Sequence, residues 1–128
     1  MVTRFSVEFD CADPVALARF WASTLGYTGL PVDLPDGEDV MLEAPDGLPD
    51  VYFQHVPEGK VVKNRMHLDL AVGGSGPLEE RRARIDAETA RLVALGASDR
   101  RGPVDEGGSY WMRMQDPEGN EFCLVSGE

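Results

Sequence analysis

Apolar and polar residues alternate over two short stretches of the chain, FSVEFD at 5–10 and MHLDLA at 66–71. Alternation with period two puts one parity on a buried face and the other toward solvent, so each stretch is predicted to be a half-buried strand. A helical period follows each of them. In the first half Leu17, Phe20, Trp21 and Leu25 share one helical face. Asp13 suits the N-cap there, Pro14 the first helical position and Gly26 the stop. In the second half Pro77 opens a longer helix, Ile85, Leu92 and Leu95 mark its face, and Gly96 ends it. Further strands are predicted near Tyr27–Leu34, Asp39–Ala44 and Val51–Val56, and again near Ala97–Val104, Ser109–Gln115 and Glu121–Ser126. The breaks between them, LPDGED, APDGLPD and DPEGN at 116–120, are rich in turn residues. Pro117 suits the second position of a type I turn, and Gly119 supplies a left-handed conformation.

The chain therefore reads as two copies of one βαβββ pattern. Written in register, Ser6 matches His67, Val7 matches Leu68 and Glu8 matches Asp69, and the LG at 25–26 matches the LG at 95–96. The second copy carries about nine more residues before its helix ends, the GGSG at 73–76 among them. Neither copy alone covers both faces of a four-stranded sheet. The expectation is one α+β domain over 1–128, with module one at about 1–58, a polar linker at about 59–64 and module two at about 65–128.

A length of 128 residues suits a single domain. The charge changes the picture more: 12 Lys and Arg stand against 23 Asp and Glu, a net −11. Phosphate backbones and anionic lipid repel such a chain, so neither nucleic acid nor a membrane is expected as a partner. With no targeting segment and no apolar run of membrane-spanning length, a cytoplasmic location is expected. Cys11 and Cys123 lack CxxC spacing and read as buried thiols. No phosphate-cradling GxxxxGK[ST] or GxGxxG pattern and no GxSxG elbow occurs in a strand–helix context.

The paired modules, the helix DPVALARFWASTLGY at 13–27, the HLDL strand and the closing DPEGNEFCLV resemble the vicinal oxygen chelate superfamily. That superfamily includes glyoxalase I, bleomycin-resistance proteins, extradiol dioxygenases, epimerases and fosfomycin-resistance enzymes. Within it the chain is similar to small bacterial glyoxalase-like domain proteins, whose middle reads like KVVKNRMHLDL at 60–70. The resemblance implies two curved mixed sheets forming a cleft. It also implies a divalent metal held by one residue from the first and last strand of each module. Carried over, those positions are Ser6, Gln54, His67 and Cys123. Only His67 is an orthodox ligand for an oxygen-chelating site. Glu121, on the same strand face as Cys123, adds a carboxylate, so the candidate metal ligands are His67, Gln54, Glu121 and Cys123.

Glu8, Asp69 and Glu121 are the candidates for acid–base chemistry, because paired carboxylates split their pKa values. The alternative is that they pair with Arg65, Arg113 or the cleft-mouth backbone and orient His67. Ser6, Glu8, Tyr52, Gln54, His67, Asp69, Trp111, Glu121 and Cys123 are expected to line the ligand-binding cleft. Tyr52, Trp111, Met112 and Met114 are read either as apolar pocket lining or as ordinary core, and His55 as facing away. The expected function is binding of a small organic molecule in the inter-module cleft, without an orthodox divalent metal and with no other cofactor, in a homodimer. Three alternatives are a metal-dependent lyase, isomerase or dioxygenase, a metal-free enzyme using one of the carboxylates as base, and a purely structural or interaction role.

Overall fold

Those patterns become nine elements in a computed structural model, which describes residues 1–127. In chain order they are β1 (Val7–Cys11), α1 (Pro14–Leu25), β2 (Val40–Leu42), β3 (Val51–His55), β4 (Leu68–Leu70), α2 (Leu78–Ala94), β5 (Ser98–Glu106), β6 (Ser109–Gln115) and β7 (Glu121–Leu124). The fold class is α+β, with two modules in tandem. Backbone packing divides the chain into two compact units, Met1–Gly59 and Lys60–Glu128. The division falls inside the predicted linker, and Lys60–Asn64 belong with module two. Among the described residues no helix is long and apolar enough to cross a membrane.

Module one is built on aromatic packing. α1 starts where predicted, with the Asp13 carboxylate accepting the Ala16 N–H at 3.1 Å and Pro14 in the first turn. Its apolar face buries Leu17, Phe20 and Trp21. The Phe9 ring of β1 lies between Trp21 and Phe53, with centroids at 5.2 Å and 5.5 Å. Burying each such side chain contributes about 1.5–3 kcal/mol. The sheet order is β1-β3-β2, with β1 parallel to β3 and β2 antiparallel to it.

The predicted strand at Tyr27–Leu34 does not form; only an isolated bridge from Gly29 to Glu43 marks its place. Pro31 and Pro35 bring no N–H to a ladder. The bridge also demands glycine, because a Cβ on Gly29 would lie 2.3 Å from the Glu43 carbonyl oxygen.

Module two repeats the connectivity and completes it. Its order is β4-β7-β6-β5, again with the first strand parallel to the last. β5 takes the edge, where Pro103 is tolerated and a register shift falls between Ser98 and Gly102. α2 is a charged helix with a narrow buried stripe, Ile85, Thr89 and Leu92, which packs mainly on β6. Leu95, expected on that face, is the C-cap residue and is exposed. Polar contacts reinforce the stripe. Arg82 pairs with Asp105 and lies 5.1 Å from the Tyr110 ring centroid, and the Tyr110 hydroxyl donates to Asp86 at 2.5 Å. Burial first, and the Asp86 hydrogen bond second, push the Tyr110 phenol up to about 12.

Candidate functional site

Alternation along β7 sends Phe122 and Leu124 into the core and leaves Glu121 and Cys123 on the opposite, open face of the sheet. Strand pairing sets Asp69 beside Cys123 and Cys123 beside Arg113, so the three form one row across β4, β7 and β6. Glu121 pairs with Gln115 in a second row. His67 lies one residue before the Leu68–Phe122 pair, at the end of β4 nearest Glu121. Its Nδ1 stands 3.4 Å from Asp69 Oδ1. One atom each of His67, Asp69 and Cys123 lie within 4.8 Å of one another. Burial first, and the Asp69 carboxylate second, push the Cys123 thiol above its ordinary pKa, while Arg101, Arg113 and Lys63 pull it down.

Glu121 does not join that group. It is 8% exposed, and both of its oxygens are engaged: Lys60 Nζ lies 2.8 Å from Oε1, and the Asn64 backbone N–H donates to Oε2 at 3.0 Å. Burial alone would raise its pKa. Lys60 and the backbone donors, Asn64 among them, outweigh burial and hold the carboxyl below its ordinary value. Glu121 is thus a fixed anion that ties residues 60–64 to β7. The turn before it is also built from a buried acid. Asp116 Oδ1 accepts the N–H groups of Glu118 and Asn120 at 2.9 Å and 3.0 Å. Gly119, at φ 86°, takes the left-handed position that the sequence assigns to it.

The remaining expected site residues lie on module one. Ser6 is exposed and precedes β1. Glu8 is exposed and pairs across the sheet with Tyr52, and Gln54 pairs with Asp10. This pairing corrects the superposition of the two copies. If Glu8 matches Asp69, then Tyr52, and not Gln54, is the counterpart of Cys123. The ladders of the two modules are offset by two residues against the match made on motifs. The Tyr52 hydroxyl donates to Asp39 at 3.0 Å, and that bond, ahead of any other cause, raises its pKa.

Met112 and Met114 are buried core on the α2 side of the sheet, not pocket lining, whereas Trp111 is half-buried and shares its parity with Arg113 and Gln115. His55 is exposed. The expected arginine partners are also replaced. Asp69 pairs with His67 and Glu121 with Lys60, while the Arg113 guanidinium donates to the carbonyls of Arg101 and Gly102. Sequence reasoning missed Lys60, Lys63, Asn64 and Arg101. The signal available was a pair of lysines, KVVKN at 60–64, just ahead of the His67 strand in a chain of net charge −11.

The donors that converge on module two are an imidazole nitrogen, a carboxylate oxygen and a sulfur. Such a set fits a borderline ion such as Zn²⁺ and is unsuited to Mg²⁺ or Ca²⁺, which take oxygen ligands. It is not the four-position set that the resemblance implies, since Asp69 enters and Ser6 and Gln54 belong to the other module.

Comparison with solved structures places this architecture among known folds. At 17% identity, protein ATC0852 from Agrobacterium tumefaciens superposes with a TM-score of 0.70, over 100% of this chain and 99% of that one. A glyoxalase/bleomycin resistance protein/dioxygenase family enzyme from Burkholderia phytofirmans gives 0.62 at 17% identity, over 94% and 95% of the two chains. A lactoylglutathione lyase from Agrobacterium tumefaciens gives 0.60 at 17% identity, over 99% and 95%. No curated protein sequence matches the chain. The glyoxalase-like domain profile matches residues 6–125, and with both modules, their shared connectivity and the HLDL and DPEGN segments accounted for, the chain belongs to the glyoxalase-like domain family of the vicinal oxygen chelate superfamily.

Proposed function

We propose that this glyoxalase-like protein binds a small organic molecule on the open face of the module-two sheet, and that it does so without an orthodox divalent metal site. One observation carries the reading. Of the four positions that the superfamily uses for metal, only His67 is an orthodox ligand, and the adjacent carboxylate, Glu121, is committed to Lys60 and Asn64. What the open face offers instead is a ligand-binding surface: Trp111 for apolar contact, and His67, Asp69, Cys123 and Gln115 for polar contact. The protein is further proposed to act in the cytoplasm, consistent with Cys11 and Cys123 forming no disulfide. It is also proposed to act as a homodimer, which light scattering after size exclusion tests directly.

A second reading, a metal-dependent lyase, isomerase or dioxygenase, is favoured by the convergence of His67, Asp69 and Cys123. A divalent ion held there would supply Lewis-acid polarisation of a substrate oxygen. Elemental analysis separates the two readings. Protein is purified without chelator and then exposed to Zn²⁺, Ni²⁺, Mn²⁺ or Fe²⁺ and desalted. The first reading expects far less than one ion per chain in wild type and in His67→Ala alike. Near-stoichiometric metal that is lost in His67→Ala and Cys123→Ser overturns it in favour of the second.

A further inference from the structure

The open face of module two ends in a pocket of about 390 Å³, lined in part by Lys60, Lys63, Arg101, Gln115 and Gly119. This volume lies within the range of small-molecule sites. Its charge runs against that of the whole molecule. In a chain of net −11 the walls carry three cations. Two acids also line it, Glu118 and Glu121. Glu121 is already neutralised by Lys60 at 2.8 Å. Lys63 and Arg101 have no carboxylate partner among the described residues; the Lys63 ammonium has only the Asn64 carbonyl, at 3.4 Å.

These cations are not scattered over the surface. Lys63 and Arg101 line the one pocket, and both, with Arg113, act electrostatically on the Cys123 thiol. Arg113 is turned toward the Gly102 and Arg101 carbonyls and so braces the segment that carries Arg101. Gln115 adds a neutral amide to the wall, and its Nε2 meets the Gly119 carbonyl at 3.5 Å. Cationic groups with unmet hydrogen-bonding capacity, at the rim of a concave site, favour an oxyanion.

We propose that this pocket receives the anionic head, a carboxylate or phosphoryl group, of the small molecule bound by module two, with Lys63 and Arg101 as its specificity-determining contacts. The inference rests on the small-molecule reading above and adds the ligand's chemical class. An anionic ligand runs against the chain's net charge of −11 and follows the local charge of the pocket instead. Glu121 and Cys123 are two residues apart on β7, or ~7 Å. A head held at Lys63 and Arg101 therefore leaves the body of the ligand over Cys123, Asp69 and His67.

Titration calorimetry with four matched probes tests this: phenylphosphonate, benzoate, benzyl alcohol and benzylamine. Each is run against wild type, the double variant Lys63→Gln/Arg101→Gln, and Arg100→Gln, a neighbouring arginine outside the pocket lining. At least one of the two anions is expected to bind wild type. Binding should weaken about tenfold or more in the double variant and change less than about twofold in Arg100→Gln. Which anion binds tighter tells carboxylate from phosphoryl. Equal loss in Arg100→Gln would overturn the pocket assignment by showing a diffuse charge effect. Binding of benzyl alcohol or benzylamine as tight as that of the anions would overturn the ligand class while leaving the small-molecule reading in place. No heat from any of the four probes would count against both.

Discussion

The two modules share a connectivity and divide the labour. Module one packs an apolar helix on an aromatic stack, Phe9 between Trp21 and Phe53, and completes three strands. Module two packs a charged helix on a narrow stripe, completes four strands, and gathers His67, Asp69 and Cys123 together. The same βαβ core can thus serve mainly as an apolar anchor or mainly as a platform for polar side chains. What differs is the side chains that the open-face parity carries. On β3 the open-face residues are Tyr52 and Gln54; on β7 they are Glu121 and Cys123.

Five substitutions break or sharpen this contrast, and chemical denaturation reads each of them. The largest effect is expected in the aromatic anchor. Trp21→Ala should cost about 3–5 kcal/mol, and Met114→Ala, its counterpart beneath α2, about 2–5 kcal/mol. A larger loss at Met114 than at Trp21 would reverse the ranking of the two cores. Gly29→Ala comes next, at about 1–3 kcal/mol, because its Cβ collides with the Glu43 carbonyl and that backbone must shift. An unchanged stability there would mean that the Gly29–Glu43 bridge contributes nothing.

Glu121→Gln belongs to the other module and should cost about 1–3 kcal/mol, by leaving Lys60 without its anion. It also makes a prediction about pH. The folded pKa of Glu121 lies below its unfolded value. Its contribution is therefore complete above the ordinary Glu value of about 4.3 and is lost as pH falls through the lower, folded one. The acid limb of the stability curve should flatten in Glu121→Gln, and an unaltered limb would contradict the Lys60–Glu121 account. The smallest effect is expected from Asp13→Ala, about 1 kcal/mol, through loss of the α1 N-cap.

Much of this organisation was legible in the sequence. Local signals carried the helices: Asp13, Pro14 and Gly26 bound α1 where they were read. The DPEGN turn was read from Pro117 and Gly119, and the fold class followed from the repeat. The strand at Tyr27–Leu34 was misread because apolar residues there outnumber polar ones while Pro31 and Pro35 remove the donors a ladder needs. Leu95 was misplaced because the helical period was extended by one residue past Ala94, where the helix ends with Leu95 as its C-cap.

The candidate site was harder to read. Period two correctly put Glu121 and Cys123 on one face. It gave no sign that residues 60–64 fold back onto that face and take Glu121 out of use. Nor can a motif match fix strand register, which depends on pairing between distant segments. Hence Gln54 was matched to Cys123, although their ladders are offset by two residues.

The central claim is that ligand chemistry resides on the open face of module two. Amide chemical-shift mapping of ¹⁵N-labelled protein against a set of small organic fragments tests it most directly. The account predicts perturbed amides clustered at Lys63–Leu70, Arg101–Gly102, Arg113–Gln115 and Gly119–Cys123. A cluster confined to Val7–Cys11 and Val51–His55 would contradict it and move the site to module one.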